Sequence, residues 1–136
     1  MYSLSTYIVE DSQVIRDGLI ATLEELTPVK VIGTAEDEAT AIHWLAQNGG
    51  AADLVIVDIF LKHGSGLGIL RAAQRKGGHH SVVVLSNYAT ADIRRKCLEL
   101  GADFVFDKST EIDALIAHCD SLARVKDSSH KRSAPH

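Results

Sequence analysis

Residues Leu54–Phe60 read LVIVDIF, an apolar run that stops on a carboxylate. Four apolar residues of this kind suit a strand buried on both faces of a parallel sheet. An unpaired carboxylate in such a place costs several kcal/mol, so Asp58 needs partners. Other apolar runs end in the same manner: STYIVED closes on Glu10 and Asp11, SVVVLS on Ser86 and DFVFDK on Lys108. Three carboxylates brought together repel, raising at least one pKa unless a cation intervenes. A hard divalent ion with oxygen ligands, Mg²⁺ above all, is the matching partner. The charges of the three acids, the metal and Lys108 then cancel. A carboxylate can also act as a nucleophile and carry an aspartyl phosphate. The Ser86 hydroxyl, the Lys108 ammonium and loop N–H groups would receive the phosphoryl oxygens. Each position has a plainer reading when taken singly. An Asp at a strand end can cap a helix, a Lys after a strand is commonly solvated, and an acid pair can cap the helix it precedes. All five at four strand ends point to a site.

The elements that must position these residues alternate strictly. A strand within Ser5–Asp11 precedes a helix in which Ile15, Leu19, Leu23 and Leu26 are helically spaced, with Ser12 as its cap and Pro28 at its end. Val29–Ala35 is a second strand, followed by a helix capped by Asp37 and stopped at Gly49. The third strand, ADLVIVD, leads to GLGILRAAQRKGG, a helix weakened by Gly66 and Gly68. Ser81–Ser86 is the fourth strand, and Thr90 caps a helix that ends at Gly101. DFVFDK is the fifth strand. Thr110 with Asp113 has the form of a capping box, opening a last helix with Ile112, Leu115, Ile116, Cys119 and Leu122 on one face. Five strand–helix units in alternation predict an α/β fold: a doubly wound, five-stranded parallel sheet of (βα)5 type, with right-handed crossovers and helices on both faces. In such sheets ligands bind outside the carboxyl ends of the strands, where the strand order reverses. Strand two ends in GTAE, and Glu36 is expected at the surface.

The chain has 136 residues, enough for one domain with a real core, and 46% of them are hydrophobic. Residues 1–126 are expected to form that domain, and the polar stretch KDSSHKRSAPH beginning at Lys126 to fray, with 127–136 a disordered tail. A net charge of −4 without a long basic run speaks against direct DNA binding. Cys97 and Cys119 form no CxxC pair, which fits a reduced, cytoplasmic protein. No leader-like apolar segment opens the sequence, and nothing approaches the ~18 apolar residues of a spanning helix.

The motifs VED, VDIFLKHGSGLGIL, VVLSNYAT and GADFVFDKS resemble the response-regulator receiver domain of two-component signalling, in its stand-alone, chemotaxis-regulator-like form, over about residues 5–124. The resemblance implies a flavodoxin-like fold in which Asp58 accepts phosphate from a histidine kinase or histidine phosphotransfer protein. It further implies that Glu10, Asp11, Asp58 and the Phe60 backbone carbonyl hold Mg²⁺. Ser86 would hydrogen-bond the phosphoryl group and couple it to loop movement, and Lys108 would pair with it. Gly66, eight residues past Asp58, matches a glycine usual there. Four positions depart from the family pattern. Val105 stands where the switch aromatic is usual, between Phe104 and Phe106, and Ser109 replaces the proline that often follows the lysine. Lys62 occupies a common proline position, and Asn87 follows the switch serine in place of a small residue.

The family's function would be phosphorylation-controlled interaction with a downstream protein, or passage of phosphate onward. Two alternatives are a degenerate receiver acting as a binding module and a Mg²⁺-dependent aspartyl-phosphate phosphatase. Haloacid-dehalogenase-type phosphatases place a second Asp two residues after the nucleophile; here Phe60 stands there, so no enzyme is expected beyond autophosphorylation from small donors and self-dephosphorylation. Phe60 and Tyr88 flank the site and bear on attack by water. His79–His80 lacks metal-ligand spacing and is expected at the surface, as is His63 in the loop after Asp58. Arg94–Lys96 is expected to be a solvated face, with a partner surface as the second reading. Cys97, Cys119 and Trp44 are expected to pack in the core.

Overall fold

Successive side chains along each strand point to opposite faces of the sheet, and the helices cover both. The computed structural model describes residues 3–75 and 80–133. In chain order the elements are β1 (Leu4–Val9), α1 (Gln13–Leu26), β2 (Val29–Ala35), α2 (Glu38–Asn48), β3 (Leu54–Val57), α3 (Gly66–Arg75), β4 (Ser81–Ser86), α4 (Ala91–Glu99), β5 (Phe104–Asp107) and α5 (Ile112–Ser133). The five strands are parallel, in the order β2-β1-β3-β4-β5. β3 lies at the centre with Leu54, Val55, Ile56 and Val57 all buried, as its continuous apolar run requires.

One face of the sheet, carrying Tyr7, Val9, Val55, Val57, Val84 and Val105, packs against α2, α3 and α4 through Leu45, Ile69 and Cys97. The opposite face, carrying Ile8, Leu54, Ile56, Leu85 and Phe106, packs against α1 and α5 through Leu19, Leu23, Leu115 and Cys119. The two cysteines are buried and free, one in each layer. Trp44 packs as expected, its indole stacked on the Tyr7 ring at 3.9 Å.

Ser12 and Thr90 cap α1 and α4 as their sequence positions predict, accepting from the Ile15 and Ile93 amides at 3.3 and 3.2 Å. Two local expectations are corrected. The buried stripe of α1 is Arg16, Leu19 and Leu23, while Ile15 and Leu26 are exposed; it is the 16–19–23 spacing that faces the sheet. Thr110 lies ahead of α5, which opens at Ile112. Its approach is shaped instead by Asp107, whose carboxylate accepts from the Ser109 and Thr110 amides at 2.8 and 3.2 Å. The helix α5 runs from Ile112 through Ser133. No Gly or Pro interrupts 127–133, so a helix already nucleated by packing propagates. Lys126 ties this helix to the edge of the sheet, with Nζ 2.8 Å from Asp53 Oδ2 and 2.9 Å from the Ser3 carbonyl.

Candidate functional site

The strand order reverses between β1 and β3, the place where a doubly wound sheet opens a crevice at its carboxyl edge. Glu10 and Asp11 leave β1 there, and Asp58 leaves β3 beside them. The ladders run on past the strand ends: Asp58 N donates to the Val9 carbonyl at 3.0 Å and Glu10 N to that of Ala35 at 3.0 Å. Just past β5, Lys108 N donates at 3.0 Å to the carbonyl of Ser86, the last residue of β4. Backbone pairing thus fixes the positions from which the Glu10, Asp58, Ser86 and Lys108 side chains depart, and Asp11 follows Glu10 directly.

Those side chains converge. Glu10, Asp58 and Ser86 are buried, and carboxylate oxygens of Glu10, Asp11 and Asp58 lie within 4.8 Å of one another. The long stem of Lys108 brings Nζ to 2.8 Å from Asp58 Oδ2, and into an ion pair with Glu10 Oε1. Burial opposes the charge on Lys108, but its hydrogen bonds to Asp58 and Glu10 and their negative charge prevail, holding its pKa above the ordinary value. Three carboxylates against one ammonium leave the cluster formally two charges negative. That deficit, the all-oxygen donors and their spacing fit one hard divalent cation, and the matching residues are Glu10, Asp11 and Asp58. Among the described residues no other group of three or more His, Cys, Asp or Glu side chains is so placed.

The remaining contacts aim these groups. Phe60 N donates to Asp58 Oδ1 at 3.1 Å, Ser12 N to Glu10 Oε2 at 3.0 Å and Lys62 N to Asp11 Oδ2 at 2.7 Å. The Ser86 hydroxyl accepts from Tyr88 N at 3.2 Å. An open depression of about 180 Å³ gives access to the cluster, with Asn87, Phe60 and Tyr88 among its lining. The two rings meet edge to face at 5.3 Å and are largely exposed, forming an aromatic wall beside Asp58. Val105 is buried in the α4 layer, while Phe104 and Phe106 stack at 5.8 Å on the side of α5.

Other candidates sit elsewhere. His63 is exposed and lines a hollow with Asp37 and His43. His79 falls outside the described residues; His80 lines a pocket at the opposite edge of the sheet. Glu36 is exposed, as expected. The Arg94–Lys96 face is solvated only in part, and Arg94 is the exception. Its guanidinium donates to the carbonyls of Ala89 and Val105 at 3.0 and 2.8 Å and to Glu111 Oε1 at 2.5 Å.

Two supporting residues escape a reading confined to strand ends. Arg16, buried on α1, donates to the Glu10 carbonyl at 2.8 Å and to Glu36 Oε1 at 3.0 Å, so it holds the acid pair from behind. Its signal was present as a charged residue on the apolar stripe. Glu111 is held below the usual carboxylate range by its bond from Arg94 and by the Asp107 amide, and so orders the turn after Lys108.

The family model described as response regulator receiver domain matches residues 6–120. The chain is 34% identical over 122 residues to a "Probable transcriptional regulatory protein" of Picosynechococcus sp., covering 86% of this chain and 48% of that relative. The chain spans about half the length of the curated relatives it matches. Among solved structures, the receiver domain of Francisella response regulator 1452 superposes with a TM-score of 0.78 at 19% identity, covering 91% of this chain and 99% of that one. A Burkholderia pseudomallei response regulator, solved with a phosphorylated aspartic acid, calcium ion and citrate, gives 0.71 at 18% identity over 97% of this chain and 76% of that one. At these identities the structural likeness shows the flavodoxin-like receiver fold.

Proposed function

This chain belongs to the response regulator receiver domain family of two-component signalling, and on that premise we propose that it is a switch phosphorylated on Asp58. The supporting observation is a buried carboxylate at the switch point of the sheet, in contact with Lys108 and open to the depression beside it. The phosphoryl group passes from a histidine nitrogen of a kinase or phosphotransfer protein, or from a small acyl phosphate, to a carboxylate oxygen of Asp58. The donor's N–P or O–P bond breaks, the donor keeps the electron pair, and a new O–P bond forms. Mg²⁺ bound by Glu10, Asp11, Asp58 and the Phe60 carbonyl would supply charge neutralisation for the transfer.

The chain's own groups do the rest. Lys108 balances the acceptor and then the phosphoryl charge, and the Ser86 hydroxyl, now engaged with Tyr88 N, turns to a phosphoryl oxygen. Leaving Tyr88 N releases the loop between β4 and α4, which is how the covalent event reaches a surface that a partner reads. We assign no catalytic turnover beyond self-phosphorylation and self-dephosphorylation: two residues after Asp58, Phe60 offers no proton-transferring side chain. The net charge of −4 supports a protein rather than a nucleic-acid partner, and two free buried cysteines fit the cytoplasm. Among the described residues no helix is long and apolar enough to cross a membrane.

Incubation with acetyl phosphate and Mg²⁺, followed by intact mass, tests the assignment. The wild type should gain one phosphoryl group, and Asp58→Asn should gain none while keeping its far-ultraviolet dichroism. A label retained in Asp58→Asn would overturn it; continuous release of inorganic phosphate over many turnovers would favour the phosphatase.

A further inference from the structure

The loop that follows Asp58 folds back on itself, with an isolated antiparallel bridge between Phe60 and Ser65. Gly66 N donates to the Ile59 carbonyl at 3.0 Å, and a side chain at Gly66 would run into the Asp58 and Ile59 backbone. The start of α3 is therefore pressed onto the phosphoacceptor segment. A proline at position 62 could not donate a hydrogen bond, whereas Lys62 N gives one to Asp11 at 2.7 Å. The loop thus aims one of the three clustered carboxylates.

A residue on a different element holds this loop in place. Glu38, the first residue of α2 and half-buried, accepts from Ser65 N through Oε1 at 2.8 Å and donates its own N–H to the His63 carbonyl at 3.2 Å. Gly64, at φ +94°, and Gly68 form the cradle for its side chain. A Cβ at Gly68 would overlap the Glu38 carboxylate, and one at Gly64 would overlap the Glu38 Cβ. Two glycines flanking a serine amide leave room for one carboxylate, and Glu38 fills it. Ser65 then caps α3, its hydroxyl accepting from Leu67 N at 3.1 Å.

We propose that Glu38 is a positioning residue for the Asp58 site: clamped between Gly64 and Gly68, it fixes the loop whose Lys62 amide orients Asp11. The proposal rests on the receiver reading of the site given above. Without the clamp the loop can move away from Asp11, and both divalent-ion binding and phosphoryl uptake suffer, although Glu38 touches neither group.

Four variants and three readouts test it: Glu38→Ala, Glu38→Gln, Gly68→Ala and the double Glu38→Ala/Gly68→Ala. The readouts are the Mg²⁺ dissociation constant by calorimetry, the acetyl-phosphate labelling rate and the melting temperature without metal. Glu38→Ala should weaken Mg²⁺ binding by about tenfold, the lower end of what outer-shell partners of metal ligands are worth, and slow labelling by a similar factor. Glu38→Gln keeps an oxygen for Ser65 N and should restore both. Gly68→Ala expels the carboxylate and should match Glu38→Ala, with the double variant no worse than either single one. Wild-type Mg²⁺ binding and labelling in Glu38→Ala, with only the melting temperature lowered, would overturn the proposal. So would equal losses in Glu38→Ala and Glu38→Gln. A wild type that binds Mg²⁺ but takes no phosphate would count against the receiver reading alone, and the Mg²⁺ comparison would still decide the role of Glu38.

Discussion

Tyr7 shows how a single group can sit at odds with its surroundings. Its ring is buried and stacked on Trp44, yet its hydroxyl is the one buried side-chain polar atom without a hydrogen-bond partner among the described residues. Burial, with the nearby charge of Asp37, pushes its pKa up to about 12. Removing an unsatisfied hydroxyl while keeping the ring costs little and can stabilise. Tyr7→Phe should therefore leave stability unchanged or raise it by up to about 1 kcal/mol in urea unfolding. A loss of that size would show that the hydroxyl has a partner in solution. The contrast with Asp58 is instructive: both polar groups are buried, but only the carboxylate sits where the fold brings it counter-charge.

At the scale of elements, the connections between β4, α4, β5 and α5 depend on Arg94. One guanidinium joins the loop after Ser86, the backbone of Val105 and the turn before α5. The fork thus ties the loop after β4 to β5 and to the turn before α5. The guanidinium is about a third exposed, so screening discounts the gain. Arg94→Met should cost about 1 kcal/mol in chemical denaturation. Arg94→Lys should recover only part of it, because an ammonium cannot reproduce the fork. Equal stability of all three proteins would mean that the fork contributes nothing. By contrast the Arg95–Asp92 pair on the same helix, with both side chains mostly exposed, should be silent on substitution.

For the whole molecule, stability should depend on pH through His118. This half-buried imidazole on α5 lies 3.2 Å from Ser81 Oγ and packs on Phe104 at a ring distance of 4.7 Å. Burial lowers its pKa from 6.5, with the charge of Asp103 acting in the opposite sense. The folded state therefore binds fewer protons than the unfolded one in the window just below pH 6.5. The stability is fully present above that value and is lost as pH falls through the folded pKa. The urea midpoint should drop between about pH 7.5 and about pH 5.5, and drop less in His118→Gln. An identical slope in both proteins would assign the pH dependence to other groups.

The sequence by itself determined the alternation of strands and helices, the caps at Ser12 and Thr90, and the delivery of Glu10, Asp11, Asp58, Ser86 and Lys108 at strand ends. Those features rest on short-range rules: a period of two in a strand, a period near 3.6 in a helix, and a hydroxyl at a helix start. Tertiary structure decided what lies close across long separations. Strand order set Asp58 beside Glu10 and carried Lys108 to both, at sequence distances of 50 and 98 residues. It also turned Arg16 and Arg94 into struts and Glu38 into a clamp, and left Ile15 and Leu26 in solvent. The same periodicity allows neighbouring stripes of a helix to face inward, as in α1. Only packing against a particular sheet selects one stripe, and only that sheet supplies the carbonyls and amides to which a charged side chain can bind.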